Sequence, residues 1–253
     1  MPASRRVSAT AKRQMEANRA TKDPGREREM RSKFPLLFNA SAAGNVAVIR
    51  AILQEGGADP NKRRAADGAT CLFVAAQEGH VEAVRVLLAE GRADPSIGKR
   101  TDGATPLFVS CMKGRAAIAE LLVTLGRADP NQPKADDGAS PLFMAAQSGH
   151  LDVAEMLLRL GADPNQGKNT DGATPLFIAA QNGHQEVVEA LLRGGARADQ
   201  GKSTDGATPL VVAIHRGHRR VADLLRGAGA TVPSRWKHVT PEANFRDKSN
   251  LNL

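Results

Sequence analysis

The sequence contains no tyrosine, and aromatic residues make up only 3% of its 253 positions. A core must therefore be built mainly from Leu, Val, Ala and Ile, and an apolar content of 41% is enough for one. No run approaches the roughly 18 consecutive apolar residues that a membrane-spanning helix needs, and the N-terminus lacks the apolar stretch of a secretory signal. The two cysteines, Cys71 and Cys111, occupy segments that hold Pro and Ala elsewhere in the chain. We interpret them as small apolar residues and expect a reducing, intracellular compartment.

Charge is distributed unevenly along the chain. Residues 1–33 carry ten Lys or Arg and four Asp or Glu, and residues 232–253 carry four basic and two acidic residues. The segment between them, residues 34–231, holds 21 charges of each sign. The net charge of +8 therefore belongs to the flanks, and a general polyanion-binding surface on the neutral body is not expected.

The central segment repeats itself. The dipeptide Asp-Gly recurs at spacings of 35, 35, 34 and 34 residues, beginning at Asp67, Asp102, Asp137, Asp171 and Asp205. A nearly constant run of the type Gly-Ala-Thr-Pro-Leu-Phe follows each one, and a divergent sixth copy lies upstream at residues 35–38. A fixed period of this length indicates a stacked array of short structural units.

Each unit can be divided into local structures. Thr105 is a suitable N-cap and Pro106 a suitable first helical residue, so a short helix is expected to follow and to end near Gly114. A second helix with an apolar stripe is expected from His150-Leu151 to Gly161. The next Asp-Gly is a turn dipeptide suited to a hairpin tip. One such helix pair cannot bury its apolar face alone, so the units must stack.

These motifs resemble the ankyrin repeat. The resemblance rests on the Thr-Pro-Leu run, on the Ala-Ala-Gln-x-Gly-His run (Ala75 to His80, Ala145 to His150, Ala179 to His184), and on the Leu-Leu-x-x-Gly-Ala-Asp segment. It implies an all-α ankyrin-repeat solenoid of about six helix-turn-helix/β-hairpin units with disordered basic flanks. The expected segments are an arm at 1–33, repeats at 34–66, 67–101, 102–136, 137–170, 171–204 and 205–231 (together 34–231), and a tail at 232–253.

One departure from the family pattern concerns the residue after Thr-Pro-Leu. The family usually has His there, where it would hydrogen-bond between repeats. This chain has Phe73, Phe108, Phe143 and Phe177. We therefore expect an apolar ladder between units in place of a polar one.

Two motifs suggest a phosphate site or a metal site, and neither meets the requirements of that site. Gly201-Lys202-Ser203-Thr204 resembles the end of a phosphate-binding loop, but Ala196 stands where that loop needs Gly, and a helix precedes it instead of a strand. The recurring histidines His80, His150, His184 and His218 are expected about 8–10 Å apart in neighbouring units, too far to share a metal ion. We expect their rings to bind nearby backbone. The sequence predicts no enzyme activity, no metal and no cofactor.

The resemblance implies a partner-binding surface on the concave face of the first helices. Carried over by motif position, the candidate residues are Gln77, Glu78, Met112, Lys113, Gln147, Ser148, Gln181, Asn182, His215 and Arg216. The third unit breaks its neighbours' pattern with Ser110-Cys111-Met112-Lys113. Such a break is typical of a specific contact, and equally of drift at an exposed site.

A second candidate surface lies at the finger tips. A cation stands three residues before each Asp-Gly, and the candidate residues are Arg64, Lys99, Arg100, Lys134, Lys168 and Lys202. One interpretation is a cationic edge that recognises an acidic partner segment. The other is that an exposed turn favours Lys and that the neighbouring Asp cancels its field.

The leading hypothesis is a monomeric interaction scaffold or adaptor that binds another protein through finger tips and concave face. The alternative is a nucleic-acid or acidic-surface binder that acts through the basic arm. Ser8, after Arg5-Arg6, is a candidate phosphosite, and with Lys12-Arg13 the same arginines are a candidate nuclear-import signal in an otherwise cytoplasmic protein. Trp236 in the tail either folds back onto the last repeat or belongs to a docking motif.

Overall fold

The computed structural model describes the backbone of residues 24–238 and the side chains of residues 33–238. Two layers of helices run along this part of the chain. The first helices of the units are α1 (Pro24–Ala42), α3 (Cys71–Glu78), α5 (Pro106–Met112), α7 (Pro141–Ser148), α9 (Pro175–Asn182) and α11 (Pro209–Arg216). The second helices are α2 (Val46–Glu55), α4 (Val81–Ala89), α6 (Ala116–Thr124), α8 (Leu151–Arg159), α10 (Gln185–Arg193) and α12 (Arg219–Gly227). Each helix contacts its partner within the unit and the equivalent helix of the next unit, so the expected all-α solenoid is confirmed.

The first helices begin where the sequence predicts. In five units a Thr or Ser hydroxyl accepts a hydrogen bond from the backbone N–H three residues later, at 3.1–3.3 Å; these caps are Thr70, Thr105, Ser140, Thr174 and Thr208. Each cap is almost fully buried, with 1–3% of its surface exposed. A buried hydroxyl needs a partner, so the cap fixes the helix start and satisfies its own polar atom at once.

The core is a row of leucines between the two layers. Leu72, Leu142 and Leu176 of the first helices and Leu87 and Leu157 of the second helices have no exposed surface. The alanines that follow in the first helices are also fully buried, and their small side chains allow adjacent units to approach closely. One continuous cluster of buried residues, from Phe34 to Ala230, results from this stacking.

The fingers are tight turns. No strand is present between residues 24 and 238. Each is closed by a backbone pair: in the finger of residues 99–104, Lys99 N donates to Ala104 O at 2.9 Å and Gly103 N donates to Lys99 O at 3.0 Å. Adjacent fingers are joined by further bonds, such as Asn169 N to Asp137 O at 3.0 Å. The β-hairpins expected at Asp-Gly are therefore not formed in this part of the chain, where the turns are present without strands on either side.

The two ends differ from expectation in one respect. Helix α1 begins at Pro24, inside the segment 1–33 that the sequence predicts to be disordered. Proline is well tolerated at the first helical position, and Arg, Glu and Met, which dominate residues 26–31, favour helix. At the other end a short 3₁₀ turn (Ser234–Trp236) packs Trp236, half-buried, against the last unit. Ser8, the nuclear-import candidates and the end of the tail lie outside the described residues.

Candidate functional site

The ten residues carried over to the concave face all lie in the last turn of a first helix or at its C-cap. Glu78, Lys113, Gln147, Asn182, His215 and Arg216 are exposed, and Gln77, Met112, Ser148 and Gln181 are half-buried. They recur once per unit, so the stack holds them in two parallel columns. A rigid row of amides, cations and hydroxyls at fixed spacing can form hydrogen bonds and ion pairs with a segment laid along it.

Few of these side chains have partners within the chain. Gln77 donates to Glu78 Oε1 at 2.9 Å, and Asn182 donates to Gln147 O of the preceding unit at 2.9 Å. Across residues 33–238, no ion pair involves Glu78, Lys113 or Arg216. Their charges are therefore available to a partner.

An apolar column borders this polar surface. It was not predicted from the sequence. Met144, Ile178 and Val212 are half-buried at the middle of α7, α9 and α11. Each precedes the polar pair of its unit by three and four residues, the spacing that places side chains on one helix face. That spacing was the signal by which the sequence could have revealed the column. The surface thus combines an apolar strip with a polar and cationic one.

The unusual run of the third unit divides between core and surface. Ser110 and Cys111 are completely buried, and the Ser110 hydroxyl donates to Pro106 O at 2.7 Å. Met112 is half-buried and Lys113 is exposed. Only the second half of the run can touch a partner.

The recurring histidines bind backbone, as expected, and the carbonyl belongs to the preceding unit. Nε2 of His80, His150, His184 and His218 lies 2.9–3.3 Å from such an oxygen, so the tautomer with a proton on Nε2 donates. Each ring also lies against a glycine of the preceding unit. At Gly149, where φ is +74°, an added Cβ would come within 2.8 Å of the His184 ring.

The finger-tip lysines face inward. Nζ of Lys99, Lys134, Lys168 and Lys202 lies 5.4–5.6 Å from the ring centroids of Phe73, Phe108, Phe143 and Phe177 respectively. The rings are buried, with 4–5% of their surface exposed. The expected phenylalanine ladder is therefore buried, and cations from the next finger cover its rings. This is a cation–π geometry.

Aspartates of the preceding fingers form ion pairs with the same lysines. Lys168 Nζ lies 3.0 Å from Asp137 Oδ2 of the preceding finger, and Lys202 Nζ lies 3.3 Å from Asp171 Oδ2. Partial burial of Asp137 opposes its ionisation, but the hydrogen bond from Lys168 and the N–H of Ala139 outweigh it and lower its pKa. Because these lysines are paired and only about one-fifth exposed, they present little charge to a partner.

Arginine side chains at the first two fingers are exposed, unlike the lysines. Arg64 pairs with Asp67 at 2.7 Å and its guanidinium lies 4.7 Å from the centroid of Phe38, yet its side chain is 46% exposed. The Arg64 hydrogen bond lowers the pKa of Asp67 to about 2. Arg63 and Arg100 are exposed. Exposed positive charge on the finger row is thus concentrated at its N-terminal end.

The third unit also lacks two contacts that join other units. Asn61, Asn131 and Asn165 each accept a hydrogen bond from a backbone N–H of the following unit, at 2.7–2.8 Å. Ser96 occupies this position at the junction with the third unit, and its hydroxyl binds Asp94 of its own loop at 2.6 Å. Arg115 replaces the bridging histidine at the same junction, with its guanidinium against Gly79.

Metal-binding clusters and reactive thiols are both absent from the described part of the chain. No group of three or more His, Cys, Asp or Glu side chains in residues 33–238 could hold a metal ion. Both cysteines are fully buried, and burial raises the pKa of the Cys71 thiol to about 12 and that of Cys111 well above its usual range. Thiols held protonated in this way are poor nucleophiles. Among residues 24–238, no helix is long and apolar enough to span a membrane.

Stacked helix pairs joined by histidine, asparagine and finger contacts define a helical repeat protein. A family model for ankyrin repeats, spanning three copies of the repeat, matches residues 9–99, 37–133, 92–168 and 160–235. The chain belongs to the ankyrin-repeat family. The family generally serves in protein–protein interaction, and its fold is typically non-enzymatic.

A solved structure supports the same assignment. The crystal structure of an ankyrin repeat domain from Acinetobacter baumannii AYE is 29% identical in sequence to this chain, with a TM-score of 0.71. The similarity covers 79% of this chain and 100% of that one. No curated protein is significantly similar in sequence.

Proposed function

We propose that this chain is a scaffold or adaptor that binds a segment of another protein along the concave face of units two to six. The observation that carries the proposal is the regular row of exposed polar side chains beside the apolar column of Met144, Ile178 and Val212. Interfaces commonly combine a buried apolar strip with a polar rim. Because the stack fixes the backbone of both columns, little backbone freedom is lost on binding.

The charge of the face favours an acidic partner segment. Among the ten candidate residues, Lys113 and Arg216 are cationic and Glu78 is the single acid. Neither cation has an ion pair within residues 33–238, so a carboxylate from a partner would meet an uncompensated charge. The preferred ligand is a segment that alternates apolar and acidic side chains. The exposed Arg63 and Arg100 extend this preference to the first fingers.

Peptide selection on the immobilised full chain tests the proposal. Selected peptides are then titrated against the wild type, Lys113→Glu and, as a matched control, Arg159→Glu. Arg159 is an exposed cation at the end of α8, in the other helix layer. We expect Lys113→Glu to weaken binding at least about tenfold and Arg159→Glu to change it less than about twofold. Equal loss in both variants, or no loss in either, contradicts a concave site.

A further inference from the structure

The outer face of the first unit keeps the apolar residues of an internal unit. In units two to six, each of which has a preceding neighbour, the third residue of the second helix is 0–2% exposed; these residues are Ala83, Ile118, Val153, Val187 and Val221. The equivalent residue of the first unit is Val48, and it is 40% exposed. An array whose first unit ended the stack would be expected to carry a polar residue here.

The residue that begins the first helix of each later unit, and its equivalent inside α1, show the same pattern. In later units this position is buried and holds a small apolar residue: Cys71, Pro106, Pro141, Pro175 and Pro209. In the first unit it is Leu36, which is 59% exposed. Leu36 and Val48 are two of only three large apolar side chains that are exposed among residues 33–238, and both positions are buried in every unit that has a preceding neighbour.

The last unit, by contrast, ends the stack. Leu53, Leu88 and Leu158 recur at one position of the second helix and lie against a glycine of the following unit, within 2.9–3.3 Å of where its Cβ would be. In the last unit this position holds Arg226, which is exposed and pairs with Asp223. The segment that contains Trp236 then closes the end, where Arg235 donates to Asp205 O at 2.7 Å. Only the N-terminal end therefore presents an open stacking face.

Two observations indicate what covers that face. The family match begins at residue 9, which is 25 residues ahead of the first unit at residue 34 and so includes part of the chain before that unit. The chain outside the described residues is also long enough. Leu36 lies 12 residues beyond Pro24 along α1, about 18 Å, and a helix over residues 9–20 would span about the same length after a turn near Pro24.

We propose that residues 9–23 of the same chain pack on the outer face of the first unit, over Leu36 and Val48, and act as its N-terminal cap. Ala11 and Met15, four residues apart, supply the apolar contacts of this cap. The cap is independent of what the concave face binds. It makes part of the basic arm a component of the fold.

Thiol labelling of the full chain tests the cap. Leu36→Cys is compared with Leu125→Cys, because Leu125 is 44% exposed on the third unit and lies away from the N-terminal end. Cysteine is already tolerated at the position equivalent to Leu36, where unit two has Cys71, and both native thiols are buried and give a silent background. If nothing covers the face, Leu36→Cys reacts at least as fast as Leu125→Cys. We expect it to react at least about tenfold more slowly.

Arm variants in the Leu36→Cys background identify the occupant. We expect Ala11→Glu with Met15→Glu to restore fast labelling, and the matched pair Thr10→Glu with Gln14→Glu, which adds the same charge at the same spacing, to leave labelling slow. Equal labelling of Leu36→Cys and Leu125→Cys overturns the proposal. Protection that persists in both arm variants also overturns it, and if that protection falls on dilution, a second copy of the chain is the occupant instead.

Discussion

The contact between Phe143 and Lys168 provides the sharpest test of how the units are joined. Lys168 Nζ lies 5.4 Å from the ring centroid of Phe143 and 3.0 Å from Asp137 Oδ2, and the ring is 4% exposed. Phe143→Ala removes a buried ring at the centre of the stack and should cost about 3–5 kcal/mol. A cost below about 1 kcal/mol would mean that the ring contributes little to the core.

A double-mutant cycle isolates the cation–π part of this contact. Lys168→Met removes the charge but keeps most of the stem, and Phe143→Leu removes the aromatic face but keeps an apolar side chain. Lys168→Met also breaks the ion pair with Asp137, but that loss occurs in both backgrounds and cancels in the cycle. We expect a coupling of about 0.5–1 kcal/mol, measured by urea unfolding followed by circular dichroism. A coupling indistinguishable from zero would show that the lysine lies over the ring without stabilising it.

Three further predictions concern the junctions between units. Ser96→Asn should restore the amide bridge to the third unit and raise the free energy of unfolding by about 0.5–1.5 kcal/mol in urea titrations. Asn131→Ser should lower the free energy of unfolding by a similar amount. If neither variant changes it, water replaces these bridges at no cost. Gly149→Ala should lower the thermal midpoint and the free energy of unfolding, the latter by more than about 1 kcal/mol, because φ is +74° and the new Cβ meets the His184 ring. Gly227→Ala, where the Cβ would meet nothing within 4 Å, should be neutral or stabilising. Equal effects at both glycines would refute the ring contact. The pKa of Asp67 is lowered to about 2 by Arg64, so its contribution is present above the unfolded-state value near 4 and is lost as pH falls toward 2. Thermal unfolding between these pH values should therefore show a smaller acid loss in Asp67→Asn than in the wild type, and identical losses would count against the ion pair.

Local rules account for the parts of the fold that the sequence predicts well. Thr105 and Pro106 determine where a first helix begins, because the hydroxyl satisfies an open N–H and proline needs no donor there. The regular Asp-Gly turns and the apolar stripe of α8 determine the unit and its two helices, and stacking follows because one unit cannot bury its apolar face alone. The start of α1 at Pro24 did not follow from these rules, because composition indicates disorder for residues that favour helix once a stack anchors them.

The candidate site was less predictable than the fold. Motif position supplied the candidate concave residues, yet it could not separate Ser110 and Cys111, which are buried, from Met112 and Lys113, which are accessible. It also did not reveal that Met144, Ile178 and Val212 border the polar columns. The burial of a side chain depends on its contacts with the neighbouring unit, so it does not follow from the sequence of one repeat.

The repeat, the starts of the first helices in units two to six and the family follow from the residues alone, because spacing, caps and turn residues act within about ten positions. The contacts of the finger-tip lysines, in contrast, depend on how the units stack. Lys168 meets Phe143 and Asp137 because stacking brings the next finger over the preceding unit, and that contact removes from the surface a charge that the sequence placed there. Leu36 and Val48 are exposed because they lie at the end of the stack, where no described unit covers them, although their residue types are those of an interior unit.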